Sequence, residues 1–293
     1  MTTIHSIAAA TDFSPGSNAA VERAVQLALA HGATLRLLHA FDVSAGQSLK
    51  GLFNPERFTT EVPPDVQMRQ HLNQLAASLA VQTGLHVDAG FAIGKPVSAI
   101  NAYVAEHQVA LLVLGSRADP ALPGLGHTAS KVLRLLACPA LVVRSGGTRP
   151  YEKVLMGVDL QDTSARVAVA ALNCLSAAQY HLLHAVDPEL DRVLGQHADA
   201  KDPMGAPHES MRAVAVRQLD KLAQELSTRF GHPVAAQVVD DVPSRAIVVR
   251  ARTLHADCVA VGFRGQGAYV EHLTGSLVER VLRETVRDVL VVP

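Results

Sequence analysis

The pattern best suited to chemistry lies near the carboxyl end: Gly262-Phe263-Arg264-Gly265, nine intervening residues, then Gly275-Ser276. Glycine at a strand exit lets the backbone approach a ligand closely, and glycine in a helix-opening turn points unhindered N–H groups at an anion. Arg264 can add a charge-assisted contact, and Gly265, Gln266 and Gly267 keep the intervening loop adaptable. Such a set suits the phosphates of a nucleotide. Ser276 and Glu279 also spell a Ser-x-x-Glu capping box, which serves a helix with or without a ligand, but a cap does not require Gly262 or Gly265.

Other candidate chemistries fail on spacing. No Gly-x4-Gly-Lys-Ser/Thr P-loop and no Gly-x-Ser-x-Gly elbow occurs. Gly124-Leu125-Gly126-His127-Thr128-Ala129 fits G-x-G-x-x-A, but it begins well after a strand has ended and opens no βαβ unit. His181 and His184 stand three apart in a strand pattern, so they point to opposite faces and form no metal pair. Cys138, Cys174 and Cys258 are too scattered for a disulfide framework or a CxxC site and are expected to be buried and inert.

The elements that position the glycines repeat. Leu37-Leu38-His39-Ala40 recurs as Leu182-Leu183-His184-Ala185, Asp12 corresponds to Asp159, Pro96–Ile100 to Pro243–Ile247, and Gly115 to Gly262. At roughly 100–200 residues per domain, 293 residues fit two domains, read as 1–148 and 149–293 with Ser145–Pro150 as linker. In each half short apolar runs alternate with helical patterns, the mark of βαβ units and a parallel sheet. The first half reads as strands Ser6–Ala10, Thr34–Ala40, His86–Ala92, Leu111–Gly115 and Ala140–Val143. Its helices read as Ser17–His31, about Pro64–Thr83, Val97–His107 and Ser130–Leu136. A second-half strand is expected at Lys153–Val158, and long irregular stretches follow at 44–64 and 187–208.

Lys plus Arg number 26 against 27 Asp plus Glu, so there is no basic field to grip nucleic acid. No apolar run approaches the 18 or so residues of a membrane span, and the first residues are not a charged leader before an apolar stretch; the sequence reads as cytoplasmic.

On these motifs the chain resembles the universal stress protein family in a tandem form, twice over nearly its whole length. Gly262, Gly265, Gly275 and Ser276 match the family's Gly-x2-Gly-x9-Gly-Ser/Thr, joined by an Asp after the first strand, a Leu-His-Val-like end to the second, and the Gly94-Lys95-Pro96 turn. The resemblance implies two doubly wound α/β domains of five parallel strands, similar to adenine nucleotide alpha hydrolases, with ATP bound and Mg²⁺ beside it. It also implies pairing of the domains as a pseudo-dimer through Ala140–Val143 and Val289–Val292, with a homodimer as a further option. By the same resemblance Asp159 and the backbone at Ala185 hold adenosine, Gly262, Arg264, Gly265, Gly275 and Ser276 hold phosphates, and Val158, Val261 and Leu277 complete the set.

The first half departs from the pattern. Ala118 replaces the second glycine, seven residues rather than nine precede Gly126, and His127 stands where the family has Ser or Thr. Asp12, Ala40, Gly115, Arg117 and Gly126 therefore form a weaker set, expected to hold ATP poorly or not at all. The second half has Asp159-Leu160-Gln161 where the first keeps Asp12-Phe13-Ser14, losing one hydroxyl. The leading reading is a stress-response or signalling module that binds ATP and is not primarily an enzyme. Slow ATP hydrolysis with Glu271 or His272 positioning water is one alternative, and an interaction module with a vestigial site is the other.

Overall fold

The computed structural model describes residues 4–42, 63–116, 125–144, 147, 149–160, 164–175, 177–187, 211–263 and 277–293. The chain divides into two compact units, Thr3–Arg149 and Pro150–Pro293.

In the first unit the elements are β1 (Ser6–Ala10), α1 (Pro15–His31), β2 (Thr34–Phe41), α2 (Pro64–Thr83), β3 (Val87–Ile93), α3 (Pro96–Glu106), β4 (Leu111–Gly115), α4 (His127–Leu135) and β5 (Ala140–Val143). All neighbouring strands run parallel, in the order β3-β2-β1-β4-β5. The central strands are predominantly apolar because helices cover both faces of such a sheet. Ile7, Leu35, Leu37, Leu38, Leu111 and Leu112 are completely buried. Helix α1 lies on the sheet through Ala20, Ala24, Leu27 and Ala28, whose small or flat side chains allow close approach.

Local chemistry sets the helix ends. Pro15, Pro64 and Pro96 occupy first-turn positions, where a missing N–H costs nothing. Ser14 caps α1 by accepting from the Ser17 N–H at 3.3 Å. The sequence places the start of α4 at Ser130, but the helix begins at His127. Gly126, extended at φ −59° and ψ 152°, is its N-cap, and its carbonyl accepts the Ser130 N–H at 3.0 Å. Arg23, buried on α1, donates at 2.6 Å to the carbonyl of Arg149, tying down the end of the unit.

The second unit comprises β6 (Tyr151–Gly157), α5 (Ser164–Cys174), β7 (Ala177–Val186), α6 (Met211–Phe230), β8 (Val234–Asp240), α7 (Pro243–Leu254), β9 (Cys258–Gly262), α8 (Leu277–Glu284) and β10 (Asp288–Val292). It repeats the topology as β10-β9-β6-β7-β8, again parallel. Strand β6 starts two residues before the expected Lys153 because Tyr151 pairs with Ala177, and its buried hydroxyl donates at 2.7 Å to Asp288. Cys174 and Cys258 are buried, but Cys138 is only partly so, a correction to the expectation for all three. It lies in the short turn between α4 and β5, outside the strands and helices that pack into the core. Among the described residues no helix is long and apolar enough to cross a membrane.

Candidate site at the strand carboxyl ends

In both units the chain leaves the first strand for the second on one side and later returns to the fourth on the other. The switch point thus falls between β1 and β4, and between β6 and β9. Ligands of open parallel sheets gather outside the carboxyl ends of strands at such a point.

Those expected residues that are described lie there. Val158 and Asp159 directly follow β6, Ala185 is in the last turn of ladder in β7, Val261 and Gly262 end β9, and Leu277 opens α8. In the first unit Asp12 follows β1, Ala40 lies near the end of β2, Gly115 ends β4, and Gly126 caps α4. Arg264, Gly265, Gly275, Ser276 and Arg117 lie outside the described residues, as do Glu271 and His272.

The two strand exits share one construction. The N–H of Thr11 extends the ladder to the Leu38 carbonyl at 2.8 Å, and the N–H of Val158 does the same to Leu183 at 3.0 Å. Each carbonyl is then held by a histidine of the neighbouring strand: His39 Nδ1 lies 2.8 Å from Thr11 O, and His184 Nδ1 lies 2.8 Å from Val158 O. A carbonyl only accepts, so Nδ1 carries the hydrogen in both rings. Immediately after the aspartate the backbone turns left-handed at a non-glycine residue, Phe13 at φ 62° and Leu160 at φ 60°. That conformation is uncommon for such side chains and is sustained by the fixed exit before it. The repeated Leu-Leu-His-Ala was visible in sequence, but the role of its histidine as a brace for the aspartate turn was not.

Around Asp12 the polar network is closed. Asp12 Oδ1 accepts the Ser14 N–H at 3.0 Å, Thr11 Oγ1 accepts the Phe13 N–H at 3.0 Å, and the hydroxyls of Thr11 and Ser17 lie 3.1 Å apart. Burial pushes the Asp12 carboxyl upward, but hydrogen bonds from Ser14 and Ser17 outweigh it and leave the pKa below the ordinary value. Phe13 packs against His39 with ring centres 5.0 Å apart and edge-on to His71 at 4.7 Å. At the equivalent of Thr11 the second unit has Val158, which offers no hydroxyl.

Gly115 sits hard against the start of α1. A Cβ there would run into the Gly16 carbonyl and stand 2.8 Å from Ser17 N, so only glycine lets β4 end beside that helix. In the second unit Phe263 continues the exit of β9 by donating to the Val292 carbonyl of β10 at 2.7 Å. Among the described residues, no group of three or more His, Cys, Asp or Glu is arranged to hold a metal ion.

Comparison with known proteins agrees with this architecture. The universal stress protein family model matches residues 3–144 and again 150–293. Universal stress protein YxiE of Bacillus subtilis is 34% identical over 142 residues, covering 46% of this chain and 95% of that protein. A universal stress protein structure from Archaeoglobus fulgidus superposes with a TM-score of 0.70 at 16% identity, covering 100% of this chain and 99% of its own. PA1789 from Pseudomonas aeruginosa, described as functionally unknown, gives 0.65 at 17% identity over 99% and 92%. With its model matched by each half in turn, the chain belongs to the universal stress protein family.

Proposed function

We propose that the second unit binds an adenine nucleotide, ATP, with Mg²⁺ accompanying its phosphates, and that the protein works as a stress-response or signalling module governed by that ligand. The observation that carries this reading is the arrangement around the β6–β9 switch point. Asp159 leaves β6 on one side, Gly262 ends β9 on the other, and the segment between Gly262 and Leu277 contains the full glycine motif. The residue types fit the ligand: a carboxylate accepts from sugar hydroxyls, and glycine N–H groups at a helix opening receive phosphate oxygens. ATP would supply the anionic charge that Arg264, Gly265, Gly275 and Ser276 are suited to receive.

The first unit keeps the aspartate turn but has the shortened glycine segment with His127 at the helix start, so we assign it little or no nucleotide affinity. Titration calorimetry with ATP and Mg²⁺ tests both statements. The expected stoichiometry is near one nucleotide per chain, and mass spectrometry of protein purified without added nucleotide is expected to release adenine nucleotide. Two equivalent sites would overturn the assignment to one unit, and absence of binding would overturn the reading itself.

A further inference from the structure

The two units treat one place on the sheet differently. In the first unit β1, β2 and β3 set Ala8, Arg36 and Asp88 side by side, and α3 brings Tyr103 over them. Arg36 Nη1 donates to Asp88 at 2.6 Å and Arg36 Nε donates to Ser6 Oγ at 3.2 Å. His86 Nε2 lies 3.1 Å from the same carboxylate. The Tyr103 ring fills the space above Gly90, where a Cβ would overlap it. The place is filled, and its cation has an anion.

The matching register in the second unit sets Leu155, His181 and Ala235 side by side, with Arg250 of α7 at the position of Tyr103. Asp88 has become Ala235, Ser6 has become Lys153, and Glu106 has become Thr253. Two fixed cations and an imidazole thus stand where the first unit has one arginine and its carboxylate. A cavity of about 170 Å³ opens there, lined by Leu155, His181, Ala235, Gln237 and Arg250 among others, with no acidic residue in its lining among the described residues. Ala235 and Gln237 are exposed, so it communicates with solvent at β8. His181 Nε2 is buried and makes no hydrogen bond among the described residues, a costly condition for a polar atom. Lys153 Nζ donates to the Leu254 carbonyl at 3.4 Å.

We propose that this cavity is a binding site for a small carboxylate anion, which pairs with Arg250, accepts from His181 and takes the place that the Asp88 side chain fills in the first unit. Arg250 offers the planar fork that matches a carboxylate, Gln237 adds an amide donor at the mouth, and Lys153 adds positive field from the adjacent strand. The lining belongs to the middle of β6, β7 and β8 and to α7, away from the strand carboxyl ends, so the inference does not rest on nucleotide binding.

The test is side-chain NMR of the full chain, following the His181 and Arg250 resonances during titration with sodium acetate at constant ionic strength. A saturable shift of both, with His184 unmoved as an internal control, is the expected result. Ala235→Asp, which restores the internal carboxylate, and Arg250→Met, which removes the fork, should each abolish saturation while far-UV circular dichroism stays unchanged. A linear, unsaturable drift, or saturation that survives in both variants, would overturn the site. Tighter saturation by inorganic phosphate than by acetate would overturn its assignment to carboxylates.

Discussion

Nδ1 of His184 donates to the carbonyl of Val158 at 2.8 Å, bridging the end of β7 to the residue that precedes Asp159. The bond fixes where the chain leaves β6 and hence where the Asp159 carboxylate begins, and His39 does the same for Thr11 ahead of Asp12. His184→Phe keeps a ring of similar size but removes the donor. It should destabilise the protein by roughly 1–3 kcal/mol, the cost of leaving a buried acceptor unpaired, and weaken ATP binding through a loosened aspartate turn. Urea unfolding and calorimetry read the two effects; unchanged stability and affinity would refute the bracing role.

Gly265→Val addresses the phosphate contacts directly. If the N–H of Gly265 receives phosphate as proposed, a β-branched side chain there should abolish ATP binding while leaving the denaturation midpoint nearly unchanged. Retained affinity would remove the Gly262–Ser276 segment from the proposed site.

Gly115→Ala tests packing alone. The added methyl meets the Gly16 backbone, which cannot rotate away as a side chain would, so α1 must shift from the end of β4. The expected loss is about 1–3 kcal/mol, seen as a lower urea midpoint, with ATP stoichiometry unaltered because the proposed site lies in the other unit. A neutral substitution would mean that β4 and α1 are less closely apposed than the structure has them.

His181 predicts a pH dependence of stability. Burial, followed by Arg250 and then Lys153, lowers its pKa below the ordinary 6.5. Among the described residues, Lys153 from β6 and Arg250 from α7 are the charged groups that act on it. Asp257, just before β9, already accepts the N–H groups of Glu152 and Lys153 at the start of β6. A depressed histidine pKa means the unfolded chain binds the proton more readily, so stability is full above 6.5 and falls as pH drops through the folded-state value. His181→Asn should flatten that part of the profile in thermal unfolding scans at several pH values, in acetate-free buffer. An unaltered slope would show that other groups govern it.

Much of this was legible from sequence because it is local or repeated. Apolar runs of four or five residues ahead of Asp12, Gly115 and Gly262 set the strands, and the helix limits read from sequence for α1, α2 and α3 fall within a residue or two of those observed. The internal offset of 145 to 147 residues, read from Asp12–Asp159 and His39–His184, exposed the duplication. The start of α4 was missed because glycine is a weak cap in sequence, and only the extended Gly126 backbone made it one. The remainder depended on strand register, which joins residues far apart in the chain. The brace from His184 to Val158 spans 26 residues, and the Arg36–Asp88 pair spans 52. No local pattern announces that Ala235 stands where Asp88 would, or that His181 and Arg250 are left facing one cavity. Side-chain partners across a parallel sheet are chosen by the crossovers that align it, and that alignment exists only once the chain has folded.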